Sequence, residues 1–221
     1  MEHSKHPVFI IGGTGYIGKR LIKILLDEGF NVTALVRQQS IYKLPAGSKH
    51  IVADAFDHNA YAQSVPSNSI FIHLLGVSHP GPKKAEQFYS IDLASVQQSV
   101  EAAKRANIYH FIYISVAQYP TKVMAAYQDA RAKGERCIIA SGISATIIRP
   151  WYIIGPGHYW PLLFWPVMKI MEIIPSTSKK ARLLGLVTLK QMLITLKKAV
   201  INPLTGNINI VEIKDIKEVT Q

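Results

Sequence analysis

Short apolar runs alternate with amphipathic stretches along most of the chain. Val8–Ile11, Val32–Val36, His50–Ala53, Ile70–Leu75, Phe111–Ser115 and Ala145–Ile148 predict strands, and Ile208–Ile213 predicts a late one. Most of these runs are continuously apolar, as expected for strands covered on both faces in a parallel sheet. Between them, a helical period predicts helices over Tyr16–Glu28, Lys84–Ala106, Lys122–Ala140 and Leu189–Val200, with a short one near Tyr61. Alternation of this kind predicts an α/β protein with a doubly wound parallel sheet. After Arg149-Pro150 the chain becomes rich in Pro, Trp and Ile. The expected organisation is a core over residues 1–150 and a small, partly helical C-terminal cap over residues 151–221 that completes the same domain. In open α/β sheets the ligand crevice lies beyond the C-terminal strand ends, and a segment leaving the sixth strand is placed to close it.

The first strand runs into Gly12, Gly15 and Gly18, spaced G-x-x-G-x-x-G at the start of the first helix. One glycine permits the tight turn, one lets backbone amides approach a diphosphate, and one lets the helix pack closely on the strand. Free N–H groups and the helix dipole then favour an anion. The expected fold is therefore a dinucleotide-binding Rossmann sheet. With Thr14, Tyr16 and Ile17, which share the turn, the three glycines are the expected cofactor contacts. The second strand ends in Arg37, with no acid from Gly29 to Ala53. An acid in that place would suit the ribose hydroxyls of NAD, whereas an arginine fork suits a 2′-phosphate. NADP(H) is favoured over NAD(H), and Lys19 and Arg20 add positive field.

The chain has 221 residues, 48% hydrophobic and 18% charged, enough for one well-formed core. Its single cysteine, Cys137, excludes an internal disulfide and reads as a small core residue. The N-terminal residues carry no apolar signal-peptide region, so the cytoplasm is the expected compartment. The net charge is +11, and no acid occurs between Glu172 and Glu212. A basic face attracts phosphates or anionic lipid. Zinc-finger, helix-turn-helix and RNA-stacking patterns are lacking, which argues against nucleic acid. Metal-ligand spacing and a G-x-S-x-G elbow are lacking too, so neither a metal site nor hydrolase chemistry of that kind is expected.

"GGTGYIG", "VAD", "SIDLASVQQSVEAAKRANIYHFIYISV" and "IIRPWYIIGPG" together resemble the short-chain dehydrogenase/reductase superfamily, nearest its atypical, epimerase-like NAD(P)H-binding branch. The resemblance covers roughly Val8 to Gly157 and, more weakly, "LVTLKQM". It implies that Asp54, with Ala55, meets the adenine. It implies that Leu75, Gly76 and Val77 pass along the adenosine ribose and diphosphate, and that the turn at Pro150 approaches the nicotinamide. The superfamily's reductases use a serine, then Tyr-x-x-x-Lys. Ser115 closes the fifth strand and Tyr127 follows, but the fourth residue on is Arg131, not lysine. A phenol has an ordinary pKa of about 10 and needs a nearby cation to act near neutrality. Arg131 lies on the same helical face as Tyr127, whereas Lys133 lies about 240° around the helix. The expected roles are Tyr127 as general acid/base, Ser115 as orienter of the substrate oxygen, and Arg131 as the source of field. Its fork differs from an ammonium in shape and aim, so the replacement is not neutral.

His79, in the loop after the fourth strand, and Trp151 and His158, after the Arg-Pro turn, are candidate substrate contacts. His73, inside an apolar strand, reads as a hydrogen-bonded core histidine. Tyr159–Ile174 carries only two charges, Lys169 and Glu172, and is too short and proline-broken to span a bilayer. It reads as a lid over an apolar substrate, a subunit interface or a membrane-surface contact. The leading expectation is an NADP(H)-binding oxidoreductase or epimerase-like enzyme acting on a small carbonyl or hydroxyl compound, as a monomer or homodimer. The alternative is a non-catalytic NADP(H)-binding sensor or assembly factor, associated with a membrane surface.

Overall fold

A computed structural model describes residues 5–119, 122, 124–159, 185–204 and 206–219. Val8–Ile11 (β1), Val32–Val36 (β2), Lys49–Val52 (β3), Ile70–His73 (β4), His110–Ile114 (β5), Ala145–Ile148 (β6) and Ile208–Val211 (β9) form one parallel sheet. Its order is β3-β2-β1-β4-β5-β6-β9. The order reverses between β1 and β4, where a doubly wound sheet opens its ligand crevice. Tyr152–Ile154 (β7) and Leu186–Thr188 (β8) pair in parallel as a second, two-stranded sheet.

Side chains alternate across the strands and feed two layers. Val8 and Ile10 of β1 face helix Gly18–Asp27 (α1), with Leu21, Ile22 and Leu25, and helix Leu189–Ile201 (α5), with Met192, Leu196 and Val200. Phe9 and Ile11 face helix Ala94–Arg105 (α3), with Val96 and Val100, and helix Ala125–Ala140 (α4), with Ile138. Each large aliphatic side chain fully buried this way stabilises the fold by about 1.5–3 kcal/mol. Helix α1 stops at Gly29, whose φ is 75°, and the Phe30 amide bonds back to Leu25 O at 2.9 Å. Only glycine takes that left-handed cap without steric cost.

Besides the unanticipated pair β7 and β8, three regions depart from the pattern-based expectation. The helix expected over Lys84–Ala106 begins as a 3₁₀ turn, Pro82–Lys84, and a short helix, Ala85–Gln87 (α2). It then passes through a π-helical turn, Phe88–Leu93, before α3. That turn carries Asp92, which is completely buried. A single π turn does not disturb an apolar period, so pattern reading passes over it. Near Tyr61 there are two 3₁₀ turns, His58–Ala60 and Ala62–Ser64. After β9, a helix forms at Ile213–Glu218 (α6), opened by a capping box between Glu212 and Asp215. The C-terminal residues complete the main sheet through β9 and its α1 face through α5. Most of the Tyr159–Ile174 segment lies outside the described residues, as do Lys179, Lys180 and Arg182.

Candidate functional site

At the end of β1 the backbone must pass close under β4. Gly12 has φ 83°, and a Cβ on it would lie 2.8 Å from both Leu74 C and Leu75 N. A Cβ on Gly18 would collide with Gly12 O and stand 2.7 Å from Gly13 Cα. These atoms are backbone and cannot give way, so both positions are glycine for steric reasons. Gly15 differs: its Cβ would meet only Gly12 O, at 3.2 Å. Gly13, which the three-glycine spacing passes over, abuts Ile22 and Ala34. Ile17 caps α1 without a side-chain hydrogen bond. Among the described residues, the amides of Tyr16, Ile17 and Gly18 find no acceptor. A helix start with unpaired donors and no acid in its first turn fits a diphosphate.

Around this turn opens a crevice of about 450 Å³. One wall is Gly12, Gly15, Tyr16, Ile17 and Gly18; another is Gly76, Val77 and His79 after β4. Ser115, Tyr127 and Arg131 line it beyond β5, and Pro150, Trp151 and His158 line it beyond β6. Thr14, Arg37, Asp54, Ala55 and Leu75 are not on its wall. Arg37 is exposed at the end of β2 and leads into the 3₁₀ turn Gln38–Lys43. Asp54 is exposed after β3, and its Oδ1 accepts the Phe56 amide at 3.0 Å. Ala55 and Leu75 are partly buried and pack against the α3–α4 core layer. Among the described residues no three metal-ligating side chains cluster, and no helix is long and apolar enough to cross a membrane.

Arg131 and Ser115 are held by partners that the sequence did not reveal. Arg131 is buried, with Nη2 2.5 Å from Asp92 Oδ1 and Nη1 donating to Ile114 O at 2.9 Å. Asp92 Oδ2 accepts the Val77 amide at 3.0 Å. The pair thus ties α4 to the loop after β4. Gly76 makes room for it, because a Cβ there would strike Arg131 Nη2. Burial pushes the Asp92 carboxyl above its ordinary range, while the Arg131 guanidinium and the Val77 amide pull it down. The guanidinium carbon stands 5.5 Å from the Tyr127 ring centroid and 5.6 Å from that of Tyr113. Burial pushes the Tyr113 phenol up to about 12, against the pull of Arg131. Arg131 Nε has no hydrogen-bond partner among the described residues.

Ser115 donates its hydroxyl hydrogen to Glu135, two turns beyond Tyr127 on α4. Glu135 also accepts from Arg149 Nε at 3.0 Å and Nη2 at 2.5 Å, and Arg149 reaches Glu212 at 2.8 Å. On the opposite side, the His79 and His158 rings stack at 5.3 Å, and His158 lies 4.3 Å from the Tyr16 ring. Burial, then His79 and Arg20, lowers the pKa of His158. His73 is a buried core histidine, with Nδ1 2.9 Å from Ser99 Oγ. Its burial holds its pKa down to about 3.

Residues 12–156 match the family described as NAD(P)H-binding. The chain belongs to that family. It is an atypical short-chain dehydrogenase/reductase of Rossmann fold. It is 24% identical over 181 residues to a ceramide reductase of Caulobacter vibrioides, covering 81% of this chain and 56% of that protein. It is 24% identical over 144 residues to the photosystem II assembly factor Ycf39 of Cyanophora paradoxa, covering 64% of this chain and 44% of that one. The chain spans about half the length of the curated relatives it matches. Its fold is similar to that of the Bordetella bronchiseptica enzyme WbmG, crystallised with NAD and UDP. The TM-score is 0.67 at 16% identity, over 95% of this chain and 73% of that one.

Proposed function

We propose that this chain is an NADP(H)-dependent oxidoreductase acting on a carbonyl or hydroxyl compound with an apolar body. One observation carries the reading: a single crevice brings together the unpaired amides of the glycine turn, Tyr127, Ser115 and a buried cation. The amides of Tyr16, Ile17 and Gly18 hold the diphosphate, and Gly15 leaves it room. Asp54, Ala55, Leu75, Gly76 and Val77 flank the adenosine half, and Pro150 the nicotinamide half. When bound, NADPH supplies the hydride. Tyr127 gives the proton to the substrate oxygen. Ser115, its own hydrogen committed to Glu135, would accept the hydrogen of the alcohol form of the substrate through a lone pair. Met124, Val77 and Trp151 give the crevice an apolar side suited to a lipid-like body, and a ceramide reductase among the relatives agrees with it.

For cofactor choice, exposed Arg37 is the support. A charge-assisted fork is worth about 1.5–3 kcal/mol, so Arg37→Ala should weaken NADPH roughly 10- to 100-fold and leave NADH nearly unchanged. Equal losses for both nucleotides would remove the 2′-phosphate from the reading. Turnover is tested by NADPH consumption over a panel of long-chain ketones and aldehydes. Tyr127→Phe should lose activity by at least about a hundredfold while NADPH still raises the melting temperature.

A second reading has its own support. Arg131 is committed to Asp92 and Ile114 O, and Ser115 to Glu135, so both are engaged before any substrate arrives. This geometry suits a protein that holds the nucleotide as a structural ligand, as does the similarity to an assembly factor. NADPH-dependent stabilisation without turnover of any carbonyl in the panel would select it.

A further inference from the structure

Outside the crevice, α1 and α5 pack side by side and, together with Ile154, Gly155, Pro156 and Tyr159 at and after β7, line a trough of about 550 Å³. Its walls follow from helical spacing. On α1, Arg20, Ile24 and Glu28 recur every fourth residue along one stripe. On α5, Lys190, Leu193, Ile194 and Lys197 form the facing stripe. Ile24, Leu193 and Ile194 are only partly buried, so the trough floor is aliphatic. The two ends differ in charge. At the C-terminal end of α1, Lys197 is ion-paired with Glu28, which neutralises that end. At the N-terminal end, Arg20 and Lys190 line the trough, and among the described residues no carboxylate lines it with them. Among the described residues Lys190 has neither an ion-pair nor a hydrogen-bond partner. Arg20 donates to Tyr16 O at 2.7 Å and lies over the Tyr16 ring at 4.5 Å, so its Nη1 is engaged by the glycine turn and its charge is not neutralised.

An aliphatic channel with two uncompensated cations at one end and a neutral pair at the other is complementary to one class of molecule. The geometry points to a binding site for a single-chain anionic amphiphile, with its carboxylate or phosphate head between Arg20 and Lys190. The chain lies over Ile24, Leu193 and Ile194 and runs on past the Lys197–Glu28 pair into solvent. Lys190 to Lys197 spans seven residues, about 10.5 Å of helix, the length over which the tail is in contact with the trough. The stems of Lys190 and Lys197 extend the apolar wall while their ammonium groups stay in water. This site is separate from the crevice, divided from it by Tyr16, Gly155 and His158. The ring of Tyr16 meets Arg20 on one side and His158 on the other.

The test uses the whole chain and a dansyl-labelled undecanoate below its critical micelle concentration, followed by fluorescence. One equivalent should bind saturably. Dodecanoate should displace it and dodecanol should do so about tenfold less well, since the head contributes charge-assisted hydrogen bonds. Lys190→Glu should weaken binding about tenfold or more, and Ile194→Glu should abolish it. Both changes are at part-exposed or exposed positions, and circular dichroism and melting should be as in the wild type. Failure of wild-type protein to bind the probe would overturn the proposal. So would variants that bind as the wild type does, dodecanol competing as well as dodecanoate, or displacement of the probe by NADPH, which would put it in the crevice. Flotation on phosphatidylglycerol vesicles with no binding of the monomeric probe would also overturn it, in favour of a bilayer-docking face.

Discussion

Replacing Asp92 by asparagine removes a buried negative charge and keeps the shape of the side chain. Arg131 then remains in place, its side chain about one-twelfth exposed, without the carboxylate that stood 2.5 Å away. Its remaining tie to backbone is the hydrogen bond to Ile114 O, and Nε was already without a partner. Two unit charges about 4 Å apart attract by about 4 kcal/mol at an effective dielectric of about 20. Removing one member of such a pair strands the other, which typically costs about 3–5 kcal/mol. The amide oxygen of the new side chain would still accept the Val77 amide, so the expected loss for Asp92→Asn is about 3 kcal/mol, the low end of that range. Arg131→Met alone should cost a comparable amount, because Asp92 would then be the stranded charge. The double change Asp92→Asn with Arg131→Met removes both charges and keeps an acceptor for the Val77 amide, so its loss should fall well below the sum of the two single losses. Urea unfolding without nucleotide measures all three. If the double variant loses the sum of the single losses, or if Asp92→Asn costs under about 1 kcal/mol, the buried pair is not what positions Arg131.

Gly18→Ala should lower stability by about 1–3 kcal/mol, because its Cβ meets rigid backbone of Gly12 and Gly13, and should weaken NADPH as the turn opens; an unchanged melting curve would show that the turn is looser than described. Stability should fall on acidification. Burial lowers the His73 pKa from 6.5 to about 3 and that of His110 to about 4, so the unfolded chain takes up protons first. Their contribution is complete above about pH 6.5 and is lost as the pH falls toward those values, at up to about 1.4 kcal/mol per pH unit for each unmatched proton. Urea midpoints at about pH 7.5 and about pH 5, on either side of the ordinary histidine pKa, check this, and a flat profile would contradict it.

Most of the sheet was legible in the sequence because apolar runs of four to six residues, bounded by turn residues, are too short for helices and read as strands covered on both sides; the edge strand β3 is instead mostly exposed. The strands of the main sheet were each anticipated to within two residues at either end. The glycine turn was legible for a related reason: the positive φ of Gly12 and the contacts of Gly18 with Gly12 and Gly13 lie within one strand–turn–helix unit, so their spacing along the chain carries that much of the geometry, whereas the approach of Gly12 to Leu74 and Leu75 belongs to the folded sheet. The paired strands β7 and β8 were not anticipated, since three residues each, far apart in sequence, make no periodic signal.

What surrounds Tyr127 could not be read in the same way. Arg131 and Asp92 are 39 positions apart in sequence, and a π turn that leaves the apolar pattern intact brings the carboxylate inward. The tie from Ser115 through Glu135 and Arg149 to Glu212 gathers residues from the ends of β5 and β6, from α4 and from the cap of α6. Local sequence determined which elements form, because hydrophobic period and turn chemistry act over a few residues. Only the folded sheet decided which charges meet, because burial of a charge demands a partner wherever the packing of distant strands and helices happens to bring one.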